Sequence, residues 1–156
     1  MISVLFLCMG NICRSPMAEA IFQKMVYDAG LTDQFLIDSA GIGSWHAGAP
    51  AHSGTLAVLK KQNIPYNGRA RQIISRDLET FDYIAIADRE VQSGLRGLGS
   101  GHAQVFFMLQ HAYAAGAVKS DEVPDPYYDG RFDEVYDLLT AGCAALLAHI
   151  RADHGM

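Results

Sequence analysis

The chain is poor in cysteine, poor in positive charge and without a long apolar run. Its three cysteines, Cys8, Cys13 and Cys143, are an odd number at irregular spacing, which excludes a disulfide framework and fits a reducing compartment. Neither they nor the six histidines have the spacing of a zinc site, so no metal and no cofactor is expected. Twelve Lys and Arg against seventeen Asp and Glu give a net charge of −5 with no basic run, which argues against nucleic acid or an acidic membrane as the main partner. The N-terminus carries no basic leader, and the apolar stretch Ile2 to Cys8 is too short for a signal core or a membrane span. A cytoplasmic protein without membrane insertion is expected, as a monomer or weak dimer. There is no internal repeat and no low-complexity tract. Half the residues are hydrophobic, so residues 1–156 read as one domain able to bury a real core.

The stretch around which the rest is organised is Cys8-Met9-Gly10-Asn11-Ile12-Cys13-Arg14-Ser15-Pro16. An almost continuously apolar strand, Ile2 to Leu7, runs into it. Ser15-Pro16 then opens an amphipathic helix, with Gly10-Asn11 as the turn between. Strand, tight loop and helix start form an anion cradle, because the loop amides and the first helical turn have no internal partners and meet the positive end of the helix dipole. Phosphate fits such a spot. A thiol at Cys8, at the foot of that field and beside Arg14, is favoured as thiolate, the nucleophilic form. The planar fork of Arg14 can grip two phosphoryl oxygens while charge redistributes, which lysine cannot do as well. Ser15 is expected both to cap the helix and to hydrogen-bond the Cys8 sulfur. A cysteine and an arginine separated by five residues are common by chance; between a strand and a helix the pair is far more specific.

Along the rest of the chain, a helix from about Ser15 to Ala29 ends at Gly30, with Met17, Ile21 and Met25 four apart as core positions. A second strand, about Phe35 to Ser39, leaves through Ala40-Gly41-Ile42-Gly43 to Trp45. A helix from Ser53 to about Gln62 takes Ser53 as its cap, and a helical turn is expected around Ser75 to Glu79. Phe81 to Ala87 is the third strand, and Asp88, read first as a helix cap and second as a support for the loop, starts a helix to about Leu98. Ala103 to Leu109 is the fourth strand, and the last helix, about Phe132 to Arg151, carries Phe132, Val135, Leu139, Cys143, Leu146 and Ile150 on one face. Strands alternating with helices predict an α/β fold of three layers: a four-stranded parallel sheet of order 2-1-3-4 with helices on both sides. The Cys8 loop then lies at the topological switch point, the usual ligand site of such sheets.

The loop contains no group able to protonate a leaving group, so an acid must come from elsewhere. Asp125, before Pro126 in a rigid turn and followed by Tyr127 and Tyr128, is the candidate. Asp121, Glu122, Asp129 and Asp133 nearby read as solvated or helix-start carboxylates. Tyr127, Tyr128 and Trp45, with Met9 and Ile12, can line a slot for a flat ring. Such walls above a deep cradle favour phosphotyrosine over the shorter phosphoserine.

In the nine-residue loop, in Asp125-Pro126-Tyr127-Tyr128 and in Asp38-Ser39-Ala40-Gly41 followed by Trp45, the sequence resembles the low-molecular-weight protein tyrosine phosphatases, from Ile2 to about Ile150. The resemblance implies a metal-independent enzyme acting on phosphotyrosine-containing proteins through a phosphocysteine. Cys8 would be its nucleophile, Arg14 the phosphate clamp and Asp125 the acid, then the base; Met9, Gly10, Asn11, Ile12, Cys13, Ser15 and Ser39 would form and support the loop. Isoleucine at position 12 goes with the tyrosine-phosphatase branch, and threonine there with the arginine-phosphatase branch. Cys13 either closes a reversible disulfide with Cys8 or is a filler thiol. Many relatives carry a histidine at the place of Gly68 that hydrogen-bonds the residue equivalent to Ser39; Gly68 cannot, and Val91 and Ala87 also depart from frequent residues. The support of the loop then depends on water or another side chain substituting, and somewhat weaker activity is expected. Three alternatives stand beside this reading: a protein-arginine phosphatase, a phosphate-binding module without catalysis, and an arsenate reductase. The last requires two more cysteines after the third strand, and 88–101 has none.

Overall fold

A computed structural model describes all 156 residues. Strand β1 (Ile2–Cys8) is buried along its whole length, as a central strand covered on both faces must be. It pairs in parallel with β2 (Phe35–Gly41) from Ile2 opposite Phe35 to Cys8 opposite Gly41. On its other side it pairs with β3 (Tyr83–Ile86), and β3 pairs with β4 (Gln104–Phe107), again in parallel. The order β2-β1-β3-β4 is the expected one. From β1 the chain steps outward to β2, and from β3 it steps the opposite way to β4. Right-handed crossovers therefore send helix α1 (Arg14–Asp28) and helix α4 (Arg89–Leu98) to opposite faces of the sheet.

Helix α7 (Phe132–Asp153) packs on α1, and α5 (Gln110–Ala114) packs on α7. Length and apolar composition alone would let α7 cross a membrane. Its stripe of Val135, Leu139, Cys143, Leu146 and Ile150 is instead buried in a core cluster of 38 residues, which is how a globular core accommodates such a helix. Met17 and Ile21 of α1 are buried in the same cluster, whereas Met25 is only partly covered at its edge. Shorter helices α2 (Ser53–Lys61), α3 (Asp77–Thr80) and α6 (Pro126–Asp129) lie in the connections.

Two caps differ from expectation. Ser53 is the first residue of α2, not its cap; the ring Nδ1 of His52 accepts the Gly54 amide at 2.9 Å. Ser15 lies inside α1, whose N-cap residue Cys13 makes no side-chain cap bond. Asp88 does cap α4, accepting the Val91 amide at 3.0 Å. That bond uses the backbone, so valine at 91 leaves the cap intact, and its side chain is fully buried.

Candidate active site

Strand β1 ends at Cys8, and the chain turns back into α1 within five residues. The turn requires Asn11 at φ 58°, the left-handed region. The strained residue is held from every side: its backbone N–H donates to Cys8 Sγ (3.3 Å), its Oδ1 accepts the Arg71 amide (3.0 Å), and its Nδ2 donates to Ser15 Oγ (2.8 Å) and Ser39 Oγ (3.0 Å). Arg71 is itself fixed by Asp77 (3.0 Å) and Asp38 (3.1 Å). The end of β2 closes on the loop so tightly that a Cβ on Gly41 would lie 2.9 Å from the Met9 carbonyl oxygen and 3.0 Å from the Asn11 nitrogen. Only glycine fits there.

The amides of Met9, Gly10, Ile12 and Cys13 donate to no acceptor in the protein. With the free first turn of α1 they form the expected cradle, and Cys8 sits at its floor, 3% exposed. Ser15 Oγ lies 2.9 Å from Cys8 Sγ. Arg14, 2% exposed, turns one nitrogen, Nη1, to Asp88 (2.6 Å) and to the Val123 carbonyl (2.9 Å). Its Nε and Nη2 donate to no protein acceptor, although Nη2 lies 3.7 Å from Asp125 Oδ2. Burial opposes the guanidinium charge, but Cys8, Asp88 and Asp125 outweigh it and hold the pKa above its ordinary value. The Cys13 thiol is pushed up to about 12 by burial and by the neighbouring Cys8 and Asp125 charges.

Asp125 caps α6 by accepting the Tyr127 amide at 3.1 Å. Pro126 at the first helical position then fixes the turn. A cavity of about 560 Å³ joins Cys8, Arg14, Asp88 and Asp125 to Met9, Gly10, Ile12 and Cys13, with Trp45, His46, Tyr127 and Tyr128 at the same opening. Trp45 and Tyr128 stand 68% and 86% exposed, so the aromatic residues form a rim above the cradle. A cavity of similar size, about 550 Å³, near Tyr27, Phe35 and Ile64 is lined by no cysteine, histidine or arginine. No group of three or more His, Cys, Asp or Glu side chains gathers to hold a metal ion.

Ser39, which Gly68 cannot bond, has another side chain as its partner. Its hydroxyl donates to Glu19 Oε1 at 2.6 Å, and Tyr66 donates to the same oxygen at 3.0 Å. The support of the loop is therefore present, built from a different position. Sequence reasoning missed Glu19, Tyr66, Arg71 and the Val123 carbonyl. For Glu19 there was a signal: a carboxylate four residues after Ser15, in the middle of the buried face of α1, needs a partner.

The model of the family described as low molecular weight phosphotyrosine protein phosphatase matches residues 3–155. The low molecular weight protein-tyrosine-phosphatase YfkJ of Bacillus subtilis is 46% identical over 154 residues, covering 98% of both chains. PtpA of Staphylococcus aureus, which bears the same family name, is 36% identical over 98% of this chain and 96% of its own. The crystal structure of YfkJ superposes with a TM-score of 0.92 at 44% identity, over 98% of this chain and 96% of that one. The Drosophila arginine phosphatase DARP superposes with a TM-score of 0.87 at 29% identity, over 95% and 97%.

Proposed function

Because the chain belongs to the low molecular weight phosphotyrosine protein phosphatase family, we propose that it hydrolyses phosphotyrosine in proteins by way of a phosphocysteine, with Cys8, Arg14 and Asp125 as its reacting groups. The observation that carries this reading is the convergence of residues 8, 14 and 125 on one cavity, with unpartnered loop amides around the thiol. The Cys8 thiolate attacks phosphorus in line while the amides and the free Nε and Nη2 edge of Arg14 hold the equatorial oxygens. Asp125, at the mouth, gives its proton to the departing phenolate oxygen. The same carboxylate then takes a proton from the water that attacks the phosphocysteine, and the sulfur leaves as thiolate, received by the Ser15 hydroxyl 2.9 Å away. No step calls on a metal ion. Phosphate departs and the thiolate is restored.

The rim of Trp45, Tyr127 and Tyr128 supports a flat aryl substrate. Ile12, in the lining of the same cavity, supports phosphotyrosine over phosphoarginine by the family resemblance. The three free, buried thiols are in keeping with a reducing, cytoplasmic setting. Initial rates on phosphotyrosine, phosphoarginine and phosphoserine peptides, in EDTA and reductant near pH 6, test the proposal with Cys8→Ser alongside. Preference for phosphotyrosine that vanishes in Cys8→Ser is expected. Preference for phosphoarginine would overturn the role given to Ile12, and phosphate binding without turnover would leave only a binding module.

A further inference from the structure

Tyr66 takes no part in the reading above, yet its hydroxyl ends a buried hydrogen-bond chain that reaches the nucleophile. The direction of each bond in that chain is fixed by which groups can only donate or only accept. Asn11 Oδ1 receives the Arg71 amide at 3.0 Å, so the amide group is oriented with Nδ2 toward Ser39 and Ser15, and its two hydrogens go one to each. Ser15 Oγ therefore accepts from Asn11, and its own hydrogen goes to Cys8 Sγ at 2.9 Å rather than to the Ala40 carbonyl at 3.4 Å. Ser39 likewise accepts from Asn11 and must spend its hydrogen elsewhere. It spends it on Glu19 Oε1 at 2.6 Å.

Glu19 is the weak point of this arrangement. It is 9% exposed, and burial raises its pKa, with the Ser39 and Tyr66 bonds working the other way. A protonated Glu19 has a hydrogen of its own to place and can reverse Ser39, which then presents a hydrogen to Asn11 Nδ2, another donor. With Oδ1 held by the Arg71 amide, Asn11 relieves that clash by drawing Nδ2 away from Ser39, which weakens its bond to Ser15 and loosens the Ser15 hydrogen from the sulfur. Tyr66 opposes this. It can only donate to the carboxylate at 3.0 Å, and burial and the Glu19 charge keep its phenol protonated by raising its pKa. The ring occupies the space beside Gly68, where a Cβ would lie 2.4 Å from the Tyr66 hydroxyl; tyrosine at 66 and glycine at 68 are a matched pair.

We infer that Tyr66 is a positioning residue: by holding Glu19 as an acceptor, it keeps the Ser39–Asn11–Ser15 chain pointing its last hydrogen at the Cys8 sulfur. This deepens the proposed reaction and rests on Cys8 being its nucleophile. The test is Tyr66→Phe, with Glu19→Met as a second variant that removes the acceptor altogether. Iodoacetate alkylation of Cys8, followed by mass spectrometry across pH, reports the thiolate without any substrate. In Tyr66→Phe the rate near pH 6 falls about three- to tenfold while the plateau above pH 9 is unchanged, and kcat falls by a similar factor with KM nearly constant; Glu19→Met shows a larger loss of the same kind. Wild-type alkylation at pH 6 in Tyr66→Phe overturns the inference. So does an equal loss at both ends of the pH range, which would mean that the loop had moved. Wild-type protein that fails to turn over phosphotyrosine while the alkylation difference persists would count against the substrate reading and not against Tyr66.

Discussion

Replacing Arg14 with lysine separates the two jobs that the proposed reaction gives its guanidinium. In the structure Nη1 is committed to Asp88 at 2.6 Å and to the Val123 carbonyl at 2.9 Å, while Nε and Nη2 donate to no protein acceptor and are the edge that the proposed reaction gives to substrate. A lysine ammonium of nearly the same reach cannot make all of these contacts. Asp88 is already in place in the resting protein, so the ammonium pairs with it and the phosphoryl group loses a fork of two charge-assisted donors, each worth about 1.5–3 kcal/mol. Partial recovery of charge at a distance leaves a net loss of about 3–4 kcal/mol in the transition state, or roughly 10²- to 10³-fold in kcat/KM. The fold is affected less: the buried Val123 carbonyl loses a donor, which costs about 1–2 kcal/mol. Steady-state kinetics on a phosphotyrosine peptide, with thermal unfolding in parallel, give both numbers. A fall of less than about fivefold in kcat/KM, or a loss confined to KM with kcat intact, would refute the assignment of the free edge to the transition state.

Asp125→Asn should cut kcat about 10²-fold on phosphotyrosine and far less on an aryl phosphate with an acidic phenol, because only the poor leaving group needs the proton; equal losses would remove Asp125 from that role. Gly41→Ala puts a methyl 2.9 Å from the Met9 carbonyl oxygen, displaces the loop and should cost activity at least tenfold together with about 1–3 kcal/mol of stability, read by kinetics and thermal melting. His111 stacks on His149 at 4.0 Å with its Nδ1 unpartnered, and burial followed by the His149 charge lowers its pKa below the ordinary 6.5, with Asp153 opposing. A depressed folded-state value contributes stability that is present above pH 6.5 and lost as pH falls through the folded value. Melting temperature should therefore drop from pH 7 to pH 5, and drop less in His111→Phe. Iodoacetamide at pH 7 should label Cys8 and spare Cys143, whose thiol is buried and raised in pKa, and Cys13, raised to about 12; labelling of Cys143 in peptide maps of native protein would contradict its place in the core.

The cradle was legible in the sequence because it is local. Residues 8 to 16 are contiguous, a strand must precede them and a helix must follow, and the physics of free amides and a helix terminus needs nothing from the rest of the chain. The sheet order was legible for a similar reason, since alternating strands and helices with right-handed crossovers leave few arrangements. The Asp125-Pro126 turn is local too, and its cap bond to the Tyr127 amide spans two residues. What failed were inferences that took the neighbour in sequence for the partner in space. Ser53 and Ser15 are cap-type residues one or two positions from the caps that the backbone actually formed, and His52 used a ring nitrogen where a hydroxyl was expected.

Only the tertiary structure decided who holds the proposed reacting groups in place. Asp88 meets Arg14 across 74 residues and the Val123 carbonyl meets it across 109, while Tyr66 reaches Glu19 across 47 and Arg71 reaches Asn11 across 60. A hydrogen bond is settled by distance and direction within a few tenths of an ångström, and no spacing along the chain encodes that when two segments meet only through the packed core. From Gly68 alone the sequence left open whether water or another side chain supports the loop. The structure showed the same space filled by Tyr66, because a buried acceptor takes a donor from whichever residue the fold delivers to it.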